Sequence, residues 1–156
     1  MEDVVKVASY ICQRYEQEFG ARIDEMKLHK LLYFTQRESI IQTGGPMFAD
    51  CFEAWKYGPV LLLVRQRYKE DALHEELSDS AKAKYKAVFD AVFDAYASKD
   101  SWSLSSITHG EYAWRQVRKK LAPDMVSHEL IQTDDIWKDA ERVKIRRFLY
   151  NKIVPL

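Results

Sequence analysis

The sequence is short of several things that would declare a function. It has two cysteines, five glycines, four prolines and no excess of either charge. Cys12 and Cys51 form no CxxC pair, so the pattern excludes a disulfide scaffold and a zinc ribbon. They read as buried thiols of a cytoplasmic protein. The low Gly and Pro content, with 47% hydrophobic and 31% charged residues, excludes collagen-like, low-complexity and disordered chains. Lys and Arg together number 24, as do Asp and Glu. A dedicated nucleic-acid binder carries a basic excess, so only a local patch is left open here. No apolar run approaches the ~20 residues of a membrane helix. The opening MEDVVKVASY is acidic and lacks a signal-peptide core, which places the protein in the cytoplasm. At 156 residues the chain is most simply one domain, 1–156. Such a chain buries roughly 70% of its unfolded surface without disulfide staples.

Catalytic motifs are absent as well. None of His29, His74, His109 and His128 makes an HExxH zinc motif. His109-Gly110-Glu111 matches half of a zinc-deaminase signature, but the PCxxC half is missing. Gly44-Gly45-Pro46 lacks the GK[ST] of a phosphate loop, and there is no GxSxG elbow. The motifs require no cofactor and no metal, and they do not describe an enzyme.

What is present is helical periodicity. Val4, Ala8, Ile11 and Tyr15 recur at spacings of three and four over 3–18, and Gly20 ends that helix. Asp24 caps the next, whose inner face carries Leu28, Leu31, Leu32 and Thr35 before Thr43-Gly44-Gly45-Pro46 stops it. Residues 48–57 allow a small β element. Gly58-Pro59 then starts a helix with Leu61, Val64 and Tyr68 on one side, Pro59 taking the first helical position. The acidic stretch 70–79 reads as a solvated connection. Ser78 or Asp79 caps a long helix lined by Ala81, Tyr85, Val88, Val92 and Tyr96, with Phe89 and Phe93 adjacent. Ser103 can cap a short turn that ends at His109-Gly110. EYAWRQVRKKLA is a further helix, closed by Pro123. Thr133 caps the last, with Asp134 and Asp135 favourable in its first turn. The predicted fold class is all-α, a mainly helical domain with one small β element around 48–57.

Two features carry the functional reading. The stretch FEAWKYGPV, 52–60, concentrates aromatics in an irregular loop. Trp, Tyr and Arg anchor protein interfaces, but Trp and Phe also pin loops onto a core. Phe52 and Trp55 fit the pinning role. Lys56, pointing opposite to Trp55 in an extended segment, and Tyr57 fit the displayed one. The second feature is KDAERVKIRRFLYNK, with six basic and two acidic residues. Its Arg142, Lys144, Arg146 and Arg147 fit a solvated face, a partner surface or phosphate contacts.

Three stretches together resemble a known family: Met26-Lys27-Leu28-His29-Lys30-Leu31-Leu32-Tyr33-Phe34, Phe52 to Val60, and Thr108-His109-Gly110-Glu111-Tyr112-Ala113-Trp114. The chain resembles the Panacea antitoxin domain, the GepA/SocA-like phage-associated family, over most of 24–114. Pro46-Met47-Phe48 stands at the family's PLF-type segment. The pattern departs at His29 (usually Gln), Thr35 (usually Ala), Leu62 and Arg65 (commonly Pro and Tyr), and Ala113 (usually Pro or Ser). The resemblance implies an antitoxin of a phage-associated toxin–antitoxin system, without enzymatic activity, that neutralises a cognate toxin by direct binding. Alternatives it leaves open are an adaptor delivering the toxin to an AAA+ protease and a nucleic-acid-binding regulator. A homo-oligomer is compatible with it. The candidate contacts are Lys56, Tyr57 and Arg65, with Arg142, Arg146 and Arg147 of the basic helix. Trp55, Gly58, Pro59, His109 and Trp114 are expected to shape that surface from beneath.

Overall fold

The computed structural model describes residues 1–153. Among them are eight α-helices and one two-stranded antiparallel sheet, so the fold is mainly helical with a single small β element, as the periodicity requires. The helices are α1 (Val4–Phe19), α2 (Glu25–Thr43), α3 (Leu62–Lys69), α4 (Asp79–Lys84), α5 (Lys86–Val92), α6 (Ser101–His109), α7 (Tyr112–Arg118) and α8 (Thr133–Ile153). The strands are β1 (Glu53–Trp55) and β2 (Gly58–Val60).

Local chemistry explains most boundaries. Asp3 and Asp24 accept the first free backbone N–H groups of α1 and α2. Gly20 and Gly44 close the same helices in the left-handed conformation. Ser78 caps α4.

The centre of the fold is α2, which packs against α1, α5, α6, α8 and β2. Every residue from Lys27 to Ile40 is buried, so this helix has no solvent face. The expected inner stripe of Leu28, Leu31, Leu32 and Thr35 is therefore only part of what it buries. Several of its polar residues are satisfied inside. Lys27 donates to the Ala97 carbonyl at 3.0 Å. Gln36 donates to Phe48 O at 2.7 Å and accepts from the Met47 N–H at 2.8 Å, clamping the Pro46-Met47-Phe48 segment onto the helix. Phe48 and Phe52 then pack with Tyr33 in one aromatic cluster.

Several expectations give way to tertiary context. Gly58-Pro59 does not start a helix: both residues lie in β2, and α3 begins at Leu62. Pro59 is tolerated there because it pairs with Ala54, whose N–H points away from β2 and donates to Glu129 O at 2.9 Å. No ladder bond is lost. The stretch 70–79 is not wholly solvated, since Leu73 and Leu77 are buried and anchor it. Asp100, not Ser103, caps α6, with its carboxylate accepting the Ser103 N–H at 2.9 Å. The long helix breaks at Tyr85 and ends in a π-helical turn over Phe93–Ala97. Helix α7 stops at Arg118, short of Pro123. Cys51 is exposed rather than buried, and Cys12 is half-buried.

Buried charge fastens α8 to this core. Asp139, fully buried, accepts the backbone N–H groups of Tyr112 and Ala113, both at 2.8 Å, and so caps α7 from a neighbouring helix. Arg142 donates to Asp139 at 3.0 Å and to Glu111 at 3.5 Å. Arg37 of α2 pairs with Glu111 and donates to the Tyr96 hydroxyl at 2.8 Å. Arg147 grips Glu38 with two bonds of 2.9 Å.

Candidate interaction surface

The hairpin β1–β2 turns through Lys56 and Tyr57, and neither takes a positive φ. Gly58 supplies it instead, at 128°. A Cβ at Gly58 would lie 2.9 Å from Thr108 Oγ1 and 3.4 Å from Lys30 Cε, so glycine also permits the close approach of α6 and α2.

Three side chains hold the hairpin by its carbonyls. The Trp114 indole N–H donates to Trp55 O at 2.8 Å. Ser105 Oγ donates to Tyr57 O at 3.0 Å, and Arg118 donates to Ala54 O at 3.3 Å. The indole N–H of half-buried Trp55 donates to Glu53 at 2.9 Å, and its ring carries the Arg65 guanidinium at 5.0 Å. The His109 imidazole stacks on Trp114, centroids 4.1 Å apart and planes 7° from parallel. Burial and the nearby Lys30 charge hold His109 below its ordinary pKa, and its Nε2 is buried without a partner. The five residues expected to shape the surface thus lie in or directly beneath the hairpin.

The tip stands between two clefts. One, about 550 Å³, is lined by Lys56, Tyr57, His109 and Trp114 with the basic Arg115 and Lys119. The other, about 430 Å³, lies between the hairpin and α2 and includes Lys30, Trp55, Tyr57 and Arg65. Tyr57 is 43% exposed and meets the 62% exposed Trp102 edge-on at 5.3 Å. Lys56 pairs with Asp124 at 2.9 Å and remains on the surface. Arg65 donates to Glu25 at 2.6 Å.

His29 Nδ1 accepts the Leu61 N–H at 3.3 Å, so its proton sits on Nε2, which faces Glu25 at 3.1 Å. Burial lowers the His29 pKa and keeps the ring neutral. Burial also pushes the Glu25 pKa up, but hydrogen bonds from His29 and Arg65 outweigh it and hold the carboxyl below its usual range.

Of the expected contact residues, Lys56, Tyr57 and Arg65 come together. Arg142, Arg146 and Arg147 do not join them, since they line a third cleft with Arg37 and Glu111. Two of those three are held on core carboxylates. The sequence reading missed Trp102, in the first turn of α6, and Lys119 and Asp124, whose positions on turns give no periodic signal. It also missed Lys30, whose helical spacing does not distinguish a buried lysine from a solvated one.

A family description, antitoxin SocA-like, Panacea domain, matches residues 28–115, which runs from α2 through the hairpin to Trp114. The chain belongs to the SocA-like Panacea antitoxin family. The matched span contains two of the three side chains that hold the hairpin, Ser105 and Trp114, and both residues of its tip. Antitoxin SocA of Caulobacter vibrioides (strain NA1000 / CB15N) is 45% identical over 38 residues. That match covers 24% of this chain and 20% of the relative. No solved structure matches the chain. No helix among the described residues is long and apolar enough to cross a membrane.

Proposed function

We propose that this Panacea-domain protein is the antitoxin of a cytoplasmic toxin–antitoxin pair and neutralises its toxin by direct binding, without catalysis. The observation that carries the reading is the hairpin tip. It is rigidly tied by Trp114, Ser105 and Arg118, yet it presents Lys56, Tyr57 and the neighbouring Trp102 outward between two open clefts. A preorganised aromatic and cationic protrusion loses little entropy on docking and carries the residue types that dominate binding energy. Arg65 extends the contact along α3, and Arg146 offers a separate basic contact on α8.

The test is co-expression with the product of the adjacent reading frame. That product alone should arrest growth, this chain should relieve the arrest, and the two should copurify. Unaffected growth, or failure to copurify, overturns the reading. Toxin half-life separates blocking from delivery to a protease: a toxin stabilised in the complex supports blocking, and accelerated loss supports an adaptor.

A further inference from the structure

Lys30 has no evident role in the fold. It is 2% exposed, lies on the central helix, and makes no hydrogen bond or ion pair among the described residues. Its neighbour Lys27, equally internal, is satisfied by the Ala97 carbonyl. The Lys30 side chain instead runs against Gly58 and lines the cleft between α2 and the hairpin. Its Nζ reaches the solvent of that cleft, but an ammonium so deep without a counter-charge still costs stability, and burial pulls its pKa down to about 8.

The charges around it do not supply the missing partner. Glu25, in the same cleft, is taken by His29 and Arg65. Asp24 acts only at long range while capping α2 and accepting from Ser101. From α6, Thr108 Oγ1 is turned to the Ser105 carbonyl, and His109 adds no negative charge. The two clefts flanking the tip together present six cations (Lys30, Lys56, Arg65, Arg115, Arg118, Lys119) against Glu25 and Asp124. The chain as a whole is neutral, so this excess is local.

We infer that the hairpin surface receives an acidic segment of the bound toxin, with one Asp or Glu side chain entering the α2–hairpin cleft to pair with Lys30. The inference rests on the antitoxin reading above. It makes Lys30 a recognition residue kept unpaired in the free protein and neutralised by the partner. Met26, Trp55 and Val60 give the cleft apolar walls, and a less aqueous surround strengthens that pair.

The experiment follows the Lys30 ammonium by side-chain ¹⁵N NMR in the full chain, free and bound to the product of the adjacent reading frame. The free ammonium should titrate near 8, and in the complex it should rise above the ordinary lysine value. Lys30→Met should weaken the complex by about tenfold or more while leaving the free protein folded. An unchanged titration in the complex, or a Lys30→Met affinity within about threefold of the parent, overturns the inference while leaving the antitoxin reading standing. If the two proteins form no complex, the antitoxin reading fails by itself and the free chain decides the site. There, phenylacetate should shift the Lys30 signal at millimolar concentration and phenylacetamide should not. Equal responses, or none, overturn the carboxylate site.

Discussion

Replacing Asp139 by Ala should be among the most damaging single changes in this protein. The carboxylate has no exposed surface and serves four donors: two backbone N–H groups of α7 at 2.8 Å, the Arg142 guanidinium at 3.0 Å and the buried Tyr33 hydroxyl at 3.4 Å. The Ala113 N–H is buried and would be left without an acceptor, while the Tyr112 N–H and Arg142 can recover some water. Hydrogen bonds to charged groups contribute about 1.5–3 kcal/mol each, and stranding a buried donor costs about 1–3 kcal/mol. Against this, the loss of one carboxylate relieves Glu111. Burial, with added repulsion from Asp139, raises the Glu111 pKa to about 7. The net expectation is about 3 kcal/mol of destabilisation, within the range for breaking a buried charge cluster. Asp139→Asn keeps one acceptor oxygen and should cost roughly half as much. Urea unfolding supplies the free energies, and amide hydrogen exchange reports the site. The Tyr112 and Ala113 amides should exchange faster in Asp139→Ala than in the parent, and the Glu111 pKa should fall. A loss below about 1 kcal/mol, with those two amides still protected, would show that α8 does not cap α7 through this side chain. The change also reaches the functional surface, because α7 carries Trp114, which holds the hairpin.

Other perturbations separate the forces at work. Gly58→Ala should destabilise by about 1–3 kcal/mol, because φ is 128° and the new Cβ meets Thr108 Oγ1 at 2.9 Å; thermal unfolding checks it, and an unchanged midpoint would show that the turn relaxes freely. Lys30, at about 8 in the folded chain against 10.5 unfolded, binds fewer protons than the unfolded chain does between those values. Its contribution therefore rises with pH through that window, by roughly 3 kcal/mol, and is lost as pH falls through 8. Lys30→Met should remove this rise and stabilise the free protein at pH 7, as compared by denaturant titration across that range. A neutral thiol reagent should label exposed Cys51 quickly and Cys12 slowly, since burial pushes the Cys12 thiol up to about 12. Equal labelling followed by mass spectrometry would contradict that contrast.

The helices were legible wherever a cap or a left-handed glycine marks a boundary and one face stays in water, as in α1. They were less legible at α2, because a helix buried on every side carries no amphipathic period and hides Lys27, Lys30 and Arg37 among residues that look solvated. The hairpin was half-visible. The aromatic density of 52–57 pointed to it, but Gly58-Pro59 has the chemistry of a helix start, and only Glu129 on the far edge of β1 explains how a proline fits a strand. Sequence also placed the basic helix among the contacts. It could not show that Arg142 and Arg147 are held on Asp139 and Glu38, because those pairs span separate elements. Of the positions departing from the family pattern, His29, Thr35 and Ala113 are buried and support the fold. Leu62 and Arg65 reach the surface instead.

If the hairpin tip binds the toxin, as proposed, Tyr57 is a contact residue. The affinity of Tyr57→Asp for the product of the adjacent reading frame, measured by calorimetry, tests it most directly. Tyr57 is exposed, and the groups its ring meets, Trp102 and the Lys56 ammonium, lie on the surface too, so the variant should fold. The expected result is a loss of about 2 kcal/mol or more, near thirtyfold, together with failure to relieve growth arrest. Binding within about threefold of the parent, with arrest still relieved, would contradict it.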